Sequence, residues 1–212
     1  MDQTEEEQIE RIKDMWRRHG MPVLLGAGLA LAAVVGWKAW VNHQEAEAAA
    51  ASATYQTMLE TIMAGDDEAA RTRAAELGED LRNEYADTRY AEFSALMQAR
   101  LAVEAGDFAT AETLLEEVIQ QTGDQALAEV ARQRLARVLA QQDRAEEGLE
   151  LFNAEVAGLL LAGRQEVRGD LLVSLGRTAE AREAYQAAMK ALDDPRSRPQ
   201  LQLKLDDLAE EA

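Results

Sequence analysis

Two histidines and four acidic clusters are the residues whose types could do chemistry in this chain, and their placement argues against it. His19 and His43 stand on opposite sides of an eighteen-residue stretch without a charge, Gly20–Trp37, so they cannot meet in one site. Glu5-Glu6-Glu7, Asp66-Asp67, Asp193-Asp194 and Asp206-Asp207 could pair carboxylates for acid–base work or hold a divalent cation. All four fall at ends or turns of the helical pattern, where an acid stabilises a helix start through its dipole or is simply solvated. No H-E-x-x-H, P-loop, G-x-S-x-G or dinucleotide fingerprint occurs. Arg168-Gly169-Asp170 spells an adhesion tripeptide, but it falls inside a predicted helix with Gly169 at a helix contact. Cysteine is absent, which removes disulfides, thiolate chemistry, Cys-type metal sites and a lipid anchor on cysteine. The expectation is a protein that is no enzyme, with no catalytic residue, metal or cofactor.

The uncharged stretch is what the other segments are arranged around. At 1.5 Å per helical residue its eighteen residues reach about 27 Å, against roughly 30 Å of bilayer core. Continuing to Val41 requires only that Lys38 snorkel outward, and it sets Trp37 and Trp40 at the interface. This predicts a transmembrane helix over 20–41. Arg11, Lys13, Arg17 and Arg18 precede it and only Lys38 follows closely, so 1–19 is expected in the cytoplasm and 42–212 across the membrane. Ala46-Glu47-Ala48 has the look of a signal-peptide cleavage site, and cleavage would leave a soluble periplasmic protein. The apolar run exceeds the roughly 7–15 residues of a signal core and follows a long acidic segment, so an anchor fits better. Gly28, Ala32 and Gly36 recur every four residues, with Gly26 and Ala30 in a neighbouring row. A face of that kind lets membrane helices pack backbone to backbone.

Beyond the anchor the sequence reads as all-α. Of three prolines, Pro22, Pro195 and Pro199, none falls between Val23 and Asp194, and residues of low helix cost dominate. Asn42–Ser52 lacks Gly and Pro and should carry the helix out of the membrane. Breaks at Gly65–Asp67, Gly106-Asp107, Gly123-Asp124, Gln142-Asp143, Gly163 and Gly176 predict helices of about 12–20 residues. The formal net charge of −18 falls almost wholly beyond residue 42, which makes nucleic acid and anionic lipid poor partners.

The breaks hide a repeat. Gly106 is followed at +5, +9 and +12 by Ala111, Leu115 and Val118, and Gly176 by Ala181, Tyr185 and Ala188. From Asp143 the spacing finds Gly148 and Phe152 and fails at Glu155; from Gly65 it finds Ala70, Ala74 and Leu77. Small, large, then small or apolar is one packed helix face, and the small residue admits a close partner helix. Ala111, Gly148 and Ala181 are spaced by 37 and 33 residues, bracketing the roughly 34-residue tetratricopeptide period. Three tetratricopeptide-like hairpins follow, with a degenerate first one around 58–84 and a capping helix over 200–209. In such a solenoid the first helices of the hairpins line a groove. The repeat geometry projects into it Phe93, Leu96, Arg100 and Val103, then Gln133 and Arg137, then Asp170 and Val173.

Four segments in order, GWKAWVNHQ at Gly36–Gln44, RLARV at Arg134–Val138, RGDLLVSLGRTAEAREAY at Arg168–Tyr185 and LQLKLDDLA at Leu201–Ala209, carry a resemblance. The chain resembles YfgM-like proteins, the ancillary subunit of the bacterial SecYEG translocon. That resemblance implies a single-pass inner-membrane protein with a periplasmic helical-repeat domain. It also implies a place beside SecYEG with the anchored periplasmic chaperone PpiD, receiving emerging secretory polypeptides. An assembly factor for another membrane machine, such as cytochrome c maturation, is the alternative, because anchored tetratricopeptide subunits occur there as well.

Overall fold

The computed structural model describes residues 3–65, 67–152, 156 and 158–210, and every regular element among them is helical. The side chains of Glu5–Glu7 and His19, and the whole of Asp66 and Glu155, lie outside the described residues. Helix α1 (Gln3–Ala64) carries the chain through the tail, the apolar stretch and the Ala- and Glu-rich segment without a break. Pro22 lies inside it, removing one N–H from the ladder without ending the helix. The chain divides into two compact units, 1–50 and 51–212.

In the first unit the large apolar side chains of the uncharged stretch are exposed. Val23, Leu25, Leu29, Leu31, Val34 and Trp37 are all more than half exposed. Among the described residues this is the one helix long and apolar enough to cross a membrane. Apolar exposure on that scale is costly in water and neutral in lipid. The Trp37 and Trp40 rings stand 5.1 Å apart, beside Lys38.

The second unit is the expected series of hairpins. Residues 51–64 of α1 pack on α2 (Glu68–Glu84) through Ala51, Met58, Ala74, Leu77 and Leu81. Then come α3 (Arg89–Glu104) with α4 (Phe108–Gln121), α5 (Gln125–Gln141) with α6 (Ala145–Glu150), and α7 (Gly158–Ser174) with α8 (Thr178–Lys190). A short 3-10 turn (Pro195–Ser197) leads to α9 (Pro199–Glu210), which covers α8 through Leu201 and Leu208. Full burial of a Leu such as Leu115, Leu171 or Leu201 contributes roughly 1.5–3 kcal/mol.

The small positions are where helices meet. Ala111 and Ala181 are wholly buried. A Cβ on Gly148 would stand 3.0 Å from the Ala136 carbonyl oxygen, and one on Gly169 would stand 2.2 Å from the Tyr185 ring.

Three expectations need correction. There is no break at Gly163, because α7 runs through it; its Cβ would meet the Gln133 side chain at 2.6 Å, so close packing rather than a turn accounts for the glycine. The size range also misses two helices, since α1 has 62 residues and α6 only six. Helix α6 ends near Phe152, the last residue to satisfy the repeat spacing before Glu155. Asp206-Asp207, moreover, lies within α9 rather than at a turn.

Candidate functional site

The turns inside the last three hairpins share one construction, and it fixes the register of everything on their first helices. After α3, α5 and α7 the chain passes through a left-handed residue: Gly106 (φ 77°), Asp143 (φ 60°) and Gly176 (φ 72°). In each turn the next amide donates to a carbonyl five residues back. Asp107 reaches Ala102 (2.8 Å), Arg144 reaches Leu139 (2.9 Å) and Arg177 reaches Leu172 (2.8 Å). These bonds satisfy carbonyls that the helix end leaves open. Counting back six residues from the left-handed positions gives Arg100, Arg137 and Asp170; counting back three gives Val103, Ala140 and Val173.

Three acids act at helix starts: Asp67, from one of the clusters given that role from sequence, and Asp107 and Asp124, which the sequence marks only as chain breaks. Asp67 accepts from the Ala70 amide (2.8 Å), Asp107 from Thr110 (3.1 Å) and Asp124 from Ala126 (2.8 Å). The Thr110 hydroxyl and then its amide hold the Asp107 carboxyl below the usual range; Arg89, then the Leu127 and Ala126 amides, do the same for Asp124. Arg168-Gly169-Asp170 is helical, with Gly169 against Tyr185. Among the described residues, no three His, Cys, Asp or Glu side chains gather as a metal site.

Of the eight projected groove residues, Arg100, Val103 and Arg137 come together. With Arg134 they line a cavity of about 500 Å³ between α3 and α5, whose apolar side is Ala99, Leu115 and Val138. Arg100 donates to Glu104 (2.7 Å), and Arg134 donates to the Leu96 carbonyl (3.2 Å). Desolvation, then the charges of Arg100 and Arg137, pushes the Arg134 guanidinium down from its ordinary pKa. Phe93 stands apart in an aromatic trio, 6.3 Å from Tyr55 and 6.4 Å from Tyr90. Leu96 is buried in the core of α3, α4 and α5, while Val173 is exposed. Gln133 donates to Glu129 (3.0 Å) and to the Leu160 carbonyl (3.1 Å), between α5 and α7. Asp170 accepts from the Tyr185 hydroxyl (2.9 Å) and from Lys204 (2.5 Å), so it is engaged with α8 and α9.

Sequence reasoning passed over two features. Arg134 sits three residues before Arg137 on α5, the helical spacing that places both at one cavity. The other is Glu129 with Arg164, a buried ion pair joining α5 to α7. Its signal was faint, because a charged residue at core-facing spacing reads as solvent-facing until its partner is known.

The geometry is that of a repeat scaffold with a lined cavity, and comparison with known proteins agrees. The profile of the tetratricopeptide repeat-like domain matches residues 13–210. The chain belongs to that family. It is similar to proteins named ancillary SecYEG translocon subunit. The one from Escherichia coli is 28% identical over 98% of both chains. Those from Haemophilus influenzae and Neisseria gonorrhoeae are 27% identical (88% of this chain, 89% of that one) and 26% identical (96% and 97%). The resemblance to YfgM-like proteins carried by four short segments thus extends over nearly the whole family-matched chain.

Proposed function

We propose that this chain is a non-enzymatic, membrane-anchored scaffold that works beside the SecYEG translocon. The observation that carries the reading is end-to-end similarity to ancillary translocon subunits, anchor and repeats included. In this reading residues 1–19 are cytoplasmic, 20–41 cross the inner membrane, and 42–212 hold partner proteins or emerging secretory chains on the periplasmic side. The Lys and Arg imbalance around the anchor supports the orientation. Tethering raises the local concentration of the repeats at the channel, so weak contacts suffice. Of the projected groove residues, Arg100, Val103 and Arg137 at the cavity, with the exposed Phe93 and Val173, form the surface proposed for that contact, while Leu96, Gln133 and Asp170 are engaged inside the domain. PpiD is the expected companion, by the same resemblance.

The test is crosslinking in native membranes followed by identification of partners. SecYEG subunits are the expected product; cytochrome c maturation proteins in their place would sink the reading. Protease added to spheroplasts should remove the repeats and spare the tail, and a protected repeat domain would reverse the orientation.

The anchor is also proposed as a contact surface through Gly28, Ala32 and Gly36. A Cβ added at Gly28 or Gly36 meets nothing within 4 Å in the isolated chain, so that row is free to receive a neighbour. Gly28→Ile with Gly36→Ile should insert normally yet copurify less translocon, since bulk on that row blocks backbone approach. Undiminished copurification would leave the helix a tether only.

A further inference from the structure

The cavity between α3 and α5 gathers positive charge in a chain that is otherwise strongly acidic, with a formal net charge of −18. Several other arginines of the repeats sit on carboxylates: Arg82 on Glu117, Arg89 on Asp124, Arg144 on Glu112 and Arg198 on Glu166. Here Arg100, Arg134 and Arg137 share one acid, Glu104, and Arg100 already holds it. Among the described residues no carboxylate lies within ion-pair distance of Arg134 or Arg137. Desolvation first, and then the charges of Arg100 and Arg137, disfavour the charged form of Arg134. Guanidiniums held close without an acid gain more from an incoming anion than an isolated surface arginine does. Their planar forks match a carboxylate with two N–H donors.

The rest of the lining narrows the ligand. Ala99, Val103, Leu115 and Val138 present apolar surface next to the three heads. Free anions have no use for such surface. An anionic membrane surface would be repelled by the chain's own charge.

We propose that this cavity binds an extended acidic peptide segment, with carboxylates among Arg100, Arg134 and Arg137 and an apolar side chain against Val103, Leu115 and Val138. The proposal rests on reading the repeats as a surface that holds polypeptide, and it adds which segments are held. Arg100 and Arg137 occupy equivalent places in successive repeats, so the second hairpin and the third each supply one head to the same ligand. The fourth hairpin puts Asp170 there and neutralises it with Lys204, so the acidic-peptide site ends at α5.

Fluorescence anisotropy on the full-length chain in non-ionic detergent tests this, using a short labelled peptide of Glu, Leu and Ser. It should bind at least about tenfold more tightly than its Gln-for-Glu counterpart, as charge-assisted hydrogen bonds require. Added salt should weaken it. Arg100→Gln with Arg137→Gln should lose about tenfold, with the urea midpoint unchanged because both side chains are exposed. Equal affinity for the Glu and Gln peptides, or an unaffected double variant, overturns the proposal. So does arginine-dependent binding of phosphatidylglycerol in mixed micelles without arginine-dependent peptide binding, which would assign the cavity to lipid. Crosslinking of the wild-type chain to the translocon judges the functional reading separately, since it does not use the peptide.

Discussion

Arg164→Met is expected to lower the stability of the repeats by about 3–5 kcal/mol at pH 7, because it leaves a buried carboxylate without its main partner. Glu129 is fully buried and Arg164 is 5% exposed. The Arg164 Nε donates to one Glu129 oxygen at 2.8 Å and a second guanidinium nitrogen bonds the other. Gln133 adds a bond of 3.0 Å, and Arg132 stands 3.7 Å away. Burial by itself would raise the Glu129 pKa. The Arg164 and Gln133 hydrogen bonds, with the charges of Arg164 and Arg132, outweigh it and hold the carboxyl below its usual range.

The sign of the pH effect follows. In the wild type the depressed value contributes stability above the unfolded carboxyl pKa of about 4.3, and that contribution is lost as pH falls through the folded value. Without Arg164, burial takes over and the folded value rises. The variant then loses stability as pH climbs above about 4.3, because an ionised Glu129 must stay buried. Urea titrations of the full-length chain in micelles should therefore show the wild type and variant diverging between about pH 4 and pH 7. A gap of constant size would assign the loss to packing instead, since the Arg164 head also lies 5.4 Å from the centre of the Phe152 ring.

What could be read in the sequence was whatever repeats locally. Turns at Gly106 and Gly176 announce themselves by glycine followed at fixed spacing by a small residue, and Asp143 joins them because a short polar side chain tolerates the left-handed backbone. The long apolar helix was legible because a run with no charge at all stands out from everything after it. Gly163 misled because a glycine that admits a neighbouring side chain and a glycine that turns the chain look alike in one dimension. Glu129 and Arg164 lie 35 residues apart, and nothing local distinguishes them from the many exposed acids and bases around them. Leu96 and Asp170 show the limit of projecting a groove from an averaged repeat. The first is taken by the core, and the second by Tyr185 and Lys204, which arrive from α8 and α9.

Gly169→Ala is expected to destabilise the same domain, against the trend of its local chemistry. Glycine inside a helix such as α7 is less favourable than alanine by about 1 kcal/mol, so propensity alone predicts a gain. Space predicts the opposite. The new Cβ would stand 2.2 Å and 2.4 Å from two carbons of the Tyr185 ring, which is 3% exposed and has little room to withdraw. That ring is held at its far end as well, by the hydroxyl bond to Asp170, and Lys204 lies 5.5 Å from its centre. Overpacking of a core contact costs roughly 1–3 kcal/mol, enough to cancel the propensity gain and exceed it. Moving the ring also disturbs the Asp170–Lys204 contact that ties α7 to α9, so the loss should spread beyond one pair. A double-mutant cycle with Tyr185→Leu isolates the clash: with the ring gone, Gly169→Ala should become neutral or stabilising, a coupling of at least about 1 kcal/mol. If Gly169→Ala raises the urea midpoint with Tyr185 intact, α7 and α8 do not approach as closely as the small residue implies, and the repeat register built on Gly148, Ala111 and Ala181 loses its best-determined contact.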